Sequence, residues 1–127
     1  MDKMNPGQPA VDGEIEKRLS LITLYDFYGE LLKDNQKRVF EDSILEDLSL
    51  GEIAEEIGIS RQGVHDLIKR TCRQLESFEE RLHLAERFRR VKDMVEALEQ
   101  RMQDDERFPE AEAGEIRATL QEILEEL

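Results

Sequence analysis

A chain of 127 residues, 39% hydrophobic and 39% charged, without Trp and with only 7 Gly and 3 Pro, is one domain's worth of polypeptide and favours helices over strands. Its net charge of −13 excludes a uniformly basic nucleic-acid coat, and its single cysteine, Cys72, excludes an internal disulfide. The start "MDKMNPGQPAVDGE" lacks the apolar run of a signal peptide, and no stretch of 18 apolar residues offers a membrane span, so the chain reads as soluble and cytoplasmic.

Residues 1–13 show no periodicity and read as a disordered arm. From Glu14 to Leu32, apolar residues at helical spacing (Ile15, Leu19, Ile22, Tyr25 and Leu21, Leu24, Tyr28, Leu31, Leu32) predict a helix apolar over more than one face. It either sits centrally or covers a second subunit. Asp34 or Asn35 can cap a following helix, about 35–47, with Val39, Phe40, Ile44 and Leu48 inward.

Then comes "SLGEIAEEIGISRQGVHDLIKR", residues 49–70. Ser49 and Glu52 have the spacing of a capping box, and Gly58 suits a left-handed helix end. Ile59 is expected to plug the turn and Ser60 to cap the next helix. With Ala54 as the small residue where two helices cross, Ile53, Ile57, Ile59, Val64 and Leu67 take the positions a helix-turn-helix must bury. From Val64 to Met102 the apolar stripe runs on without Gly or Pro, giving either one long helix or two that meet near 76–80. Its length asks for a partner surface, from the first helix or from a second copy of the chain. "DDERFP" ends this segment, and Pro109 suits the first turn of an acidic amphipathic helix over 108–127. The division expected is thus an arm (1–13), a helix-turn-helix domain with a long helix (14–107) and an acidic helix (108–127), all-α throughout.

The charge is unevenly placed. Glu41–Glu56 holds seven acids and no base; Ile57–Lys92 holds nine bases against five acids; Asp93–Leu127 holds twelve acids against three bases. The one positive block coincides with the second helix of the motif, where it can steer a polyanion. In the motif's geometry Ser60, Arg61, Gln62, His65, Asp66 and Lys69 face outward. Arg and Gln side chains can pair with base edges, and Lys69, Arg70 and Arg73 stand where phosphate contacts fall. Asp66 opposes this by repelling phosphates. A second basic patch, Arg81, Arg87, Arg89, Arg90 and Lys92, is read first as a solvated face balanced by Glu79, Glu80 and Glu86. Its sharper readings are a phosphate-binding stripe or a dock for the acidic last helix.

Catalytic chemistry finds no footing: there is no phosphate loop, nucleophile motif or metal spacing. His65, Cys72 and His83 lie seven and eleven residues apart, about 10 and 16 Å along a helix. Cys72 reads as a buried thiol and both histidines as exposed. No enzyme, metal, cofactor or small-molecule substrate is expected.

The segment "LSLGEIAEEIGISRQGVHDLIKRTCRQLESFEERLHL", preceded by "LYDFYGELLKDNQKRVFE", resembles the YlxM family of bacterial proteins, which are similar to region four of sigma factors. The resemblance covers about residues 15–100. It implies an all-helical fold with a long helix after the motif and a role near the signal recognition particle pathway. It also assigns Ser60, Arg61, Gln62 and His65 the recognition positions; the acidic tail "DDERFPEAEAGEIRATLQEILEEL" is left unmatched to the family pattern. The leading expectation is a cytoplasmic regulator that binds nucleic acid, DNA before RNA, through residues 60–73 and dimerises through its long helices. The alternatives are an accessory that binds the particle's RNA or protein component, and a protein-only adaptor.

Overall fold

The computed structural model describes residues 7–107 and 109–127, with side chains described from residue 13 onward apart from residue 108. These residues form α1 (Gly7–Tyr28), a 3₁₀ turn (Gly29–Leu31), α2 (Asp34–Phe40), a π-helical turn (Glu41–Leu45), α3 (Leu50–Ile57), α4 (Arg61–Leu82), α5 (Leu84–Asp104) and α6 (Glu110–Glu126). Among the described residues there is no strand. The fold is all-α, as the composition requires.

Several boundaries differ from those expected. Helix α1 starts at Gly7 rather than Glu14; Pro9 falls in its first turn, where a missing N–H costs nothing. Residues 1–6 of the expected arm lie outside the described residues. The second helix is capped from Lys33, whose N–H donates to Gln36 Oε1 at 3.0 Å, and Asp34 becomes the first helical residue. It ends at Phe40 and widens into the π turn, so that Glu46 N–H reaches Glu41 O at 2.8 Å and Leu48 N–H reaches Asp42 O at 2.9 Å. A left-handed Asp47 (φ 57°) then turns the chain toward α3.

Two compact units divide between Leu82 and His83. In the first, α1, α2 and α3 all pack on α4. Val39, Ile53, Val64 and Leu67 form a core flanked by Leu48, Ala54, Ile57 and Ile68. Leu21, Leu24, Tyr28, Leu32, Phe40, Thr71 and Leu75 are buried too. Tyr25 stacks on Phe40 with ring centroids 4.4 Å apart. Burial, followed by the hydrogen bond to Glu41, raises the Tyr25 phenol well above its usual range. Tyr28 donates to Glu79 Oε1 at 2.5 Å, and the buried Gln36 amide donates to Gln74 Oε1 at 2.8 Å, so α1 and α2 are each keyed to α4. A lone buried amide would cost about 1–3 kcal/mol; paired, it fixes which residues face each other.

The second unit is a hairpin of α5 and α6, with Val95, Met102 and Ala113 buried. Gln121 Nε2 donates to Glu99 Oε2 at 3.4 Å across the two helices. The stripe after the motif is therefore two helices, with the break at His83 and not at 76–80. His83 itself is left-handed (φ 56°) and its carbonyl accepts from Arg87 N–H at 3.0 Å. Histidine is one of the few side chains that tolerate this backbone region, which is how the chain breaks without Gly or Pro.

Ile53→Ala should cost about 2–5 kcal/mol, because a fully buried side chain leaves a cavity. Gly58→Ala should cost about 1–2 kcal/mol through its left-handed backbone alone (φ 84°). Urea denaturation of the two variants checks both; a Gly58→Ala chain as stable as the parent would contradict the strained turn.

Candidate nucleic-acid interface

The site is built from three caps and a turn. Ser49 Oγ accepts from Glu52 N–H at 3.1 Å while Glu52 Oε1 accepts from Ser49 N–H at 2.9 Å, so the start of α3 is closed reciprocally. The Ser49 N–H, then its hydroxyl, holds the exposed Glu52 carboxyl below the usual carboxylate range. At the other end Gly58 (φ 84°, ψ 31°) donates its N–H to Ala54 O at 2.8 Å. Ser60 Oγ then accepts from Gly63 N–H at 3.0 Å and starts α4. Gly63 leaves room for this cap, since a Cβ there would stand 3.2 Å from Ser60 Oγ and 3.5 Å from Ile59 Cδ1. Ile59 lies over Gly63 and is 42% exposed, so it is not the buried plug expected of it; Val64 and Ile53 close the turn from within.

With Val64 and Leu67 buried, α4 turns Arg61, Gln62, His65, Asp66, Lys69, Arg70 and Arg73 to solvent. At 100° per residue, Gln62, Asp66, Lys69 and Arg73 fall on one stripe, with His65 and Arg70 on its two borders. Arg61 does not join them. Its guanidinium lies against Gly51 at the start of α3, where a Cβ would come within 3.1 Å of Arg61 Nη2. It thus forms one wall of an open cleft shared with Ser49, Glu52, Ala54, Glu55 and Ile59. Gln62 Nε2 donates to Asp66 Oδ1 at 3.0 Å, and His65 Nδ1 stands 3.7 Å from the same oxygen. Asp66 is therefore a tether for Gln62 as well as a repelling charge, a role its i,i+4 spacing could have signalled.

The second basic patch is divided. Arg81 lies near the end of α4, in the first unit, whereas Arg87, Arg89, Arg90 and Lys92 are exposed on α5. Around α5 these four spread over opposite sides, Arg87 and Arg90 on one and Arg89 and Lys92 on the other. Arg90 pairs with Glu86 at 2.7 Å, the i,i+4 contact expected of a solvated face. Arg90, more than His83, keeps the Glu86 carboxyl below its usual range. Cys72 is half-buried, and its thiol is pushed up first by burial and then by Glu76. Among the described residues no helix is long and apolar enough to cross a membrane.

Two capped helices packed together through Ile53, Val64 and Leu67, joined through a left-handed glycine and presenting a polar face on the second, define a helix-turn-helix protein. The chain belongs to the family UPF0122, described as "Putative helix-turn-helix protein, YlxM / p13 like", which it matches over residues 15–114. A UPF0122 protein of Thermoanaerobacter sp. (strain X514) is 41% identical over 112 residues, 86% of this chain and 92% of that one. One of Lactococcus lactis subsp. cremoris (strain MG1363) is 45% identical over 93 residues, 73% of this chain and 84% of its own. A third, of Bacillus pumilus (strain SAFR-032), is 41% identical over 99 residues, 78% of this chain and 90% of its own.

Since the folded Glu52 carboxyl is more acidic than its ordinary value of 4.5, its stabilisation is present at neutral pH and is lost as the pH falls through the lowered value. Ser49→Ala should cost about 1 kcal/mol at pH 7. Glu52→Gln should flatten the acid limb of the stability–pH curve measured by urea denaturation. An acid limb left unchanged would rule out this box as its source.

Proposed function

We propose that this chain is a nucleic-acid-binding regulatory protein that lays the exposed stripe of α4 against a duplex. The observation that carries the reading is that stripe itself: Gln62, Lys69 and Arg73 stand on the solvent side of a helix whose opposite side, Val64 and Leu67, is locked into the core. Lys69, Arg70 and Arg73 neutralise phosphates, while Gln62 and His65 meet base edges. Arg61, lying along the start of α3, serves a phosphate rather than a base. Ser60 accepts at its cap and keeps its O–H to donate to a phosphate. The acidic remainder of the chain suppresses non-specific binding, so affinity is confined to this helix.

Dimerisation supplies what one module lacks, since two recognition helices double the phosphate contacts. Ile15 and Leu19 on α1, and Met94, Leu98, Ile123 and Leu127 in the hairpin, are all more than 40% exposed and offer apolar surface for a second copy. A second reading is favoured by the exposure of Arg89 and Lys92 on one side of α5. In it the protein is an accessory of the signal recognition particle, with these residues against RNA phosphates or an acidic protein face and no DNA sequence read.

Fluorescence anisotropy with labelled random duplex and with signal recognition particle RNA, each at two salt concentrations, separates the readings. Each neutralised phosphate adds about 0.9 to the duplex salt slope, so Lys69→Ala with Arg73→Ala should lower it by roughly 2. Arg89→Ala with Lys92→Ala should leave it unchanged. RNA binding without duplex binding, abolished by the second pair and not the first, would establish the accessory instead. Silence toward both at low salt would leave a protein-only adaptor.

A further inference from the structure

The Gln62–Asp66 contact says more about what the stripe reads. We infer that Asp66 is a positioning residue that holds the Gln62 amide as a fixed reader of adenine. The inference rests on the duplex reading above.

A carboxylate only accepts, so of the two ends of the Gln62 amide only the NH₂ can face Asp66. The contact is 3.0 Å from Nε2 to Oδ1, between two exposed side chains one helical turn apart. Nε2 carries two hydrogens, one trans and one cis to Oε1. The trans hydrogen meets the carboxylate without bringing Oε1, itself an acceptor, alongside it. That leaves Oε1 and the cis N–H as an adjacent acceptor and donor, in fixed order, for an incoming base edge.

In the major groove, adenine presents an N6 donor beside an N7 acceptor and matches this order with both bonds. Guanine presents two acceptors and sets O6 against Oε1; thymine offers only an acceptor and cytosine only a donor. A free glutamine can also pair with adenine, but it must first give up its rotamers, whereas the tethered one is already placed. This also explains a carboxylate in the middle of a stripe that ends in Lys69 and Arg73. Its charge weakens every duplex contact, and in return it aims one side chain. His65, whose Nδ1 is 3.7 Å from the same Oδ1, is beyond hydrogen-bonding distance and does not compete for that oxygen.

The test is selection of bound sites from a randomised duplex pool, with wild type, Gln62→Ala, Asp66→Ala, Asp66→Asn and the double alanine variant, after circular dichroism has shown each to be folded. Wild type should enrich sites with one adenine whose preference falls about tenfold in Gln62→Ala. Asp66→Ala should lose several-fold of that same preference while binding total duplex more tightly, and the double variant should be no less selective than Gln62→Ala. Asp66→Asn, which keeps a carbonyl acceptor, should retain the preference. Replacing that adenine by 7-deazaadenine, which removes the N7 acceptor, should weaken wild type and leave Gln62→Ala unaffected.

Adenine preference unchanged in Asp66→Ala, or a selected site that does not respond to Gln62→Ala, would overturn the inference and leave the duplex reading standing. Failure of the wild type to retain any duplex would overturn that reading and this inference with it.

Discussion

One face of α4 carries the first unit. Helices α1, α2 and α3 have no common sheet or disulfide to organise them; each packs on α4, with α2 and α3 set through Val39 and Ile53 against Val64 and Leu67, and α1 through Tyr28 against Phe78. Residues so fully buried tolerate little displacement, since an interior at crystal-like density has nowhere to move them. Fixing that face fixes the other one. A side chain at Gln62 or Lys69 is aimed outward because Val64 and Leu67, on the same helix, have been aimed inward.

The aim is refined by local hydrogen bonds at the helix ends. The reciprocal box at Ser49 and Glu52, the left-handed Gly58 and the Ser60 cap leave little freedom in the angle at which α4 leaves α3. Gly51 and Arg61 then show how a small residue at a helix start decides a charge's position: where Gly51 offers a bare backbone, a long cation lies down instead of standing out. Surface ion pairs such as Arg38–Glu56 at 3.7 Å add little to this frame.

Much of this was legible in the sequence. The caps at Ser49 and Ser60, the left-handed Gly58 and the burial of Ile53, Val64 and Leu67 follow from local chemistry and period, because a helix start or end is decided by a few neighbouring residues. The end of α2 was not legible. The π turn at 41–45 extends an otherwise good helical pattern, and only packing chooses between i→i+4 and i→i+5 bonding. The break at His83 likewise has no Gly or Pro to announce it. At the site, the expectation put Arg61 and Gln62 side by side as readers. Their actual neighbours, Gly51 across the motif and Asp66 one turn on, separate them, and only the first of these is a tertiary contact.

The amide pair of the buried Gln36 and the half-buried Gln74 has a bearing on where such a protein can work. Neither amide titrates or binds counterions, so the alignment of α2 with α4 is indifferent to acidity and ionic strength. The ion pairs around it, Lys37–Glu30 at 3.5 Å and Arg18–Asp47 at 3.4 Å, fade in salt as any exposed pair does. Raising the ionic strength therefore weakens those exposed pairs while leaving the Gln36–Gln74 contact between α2 and α4 in place.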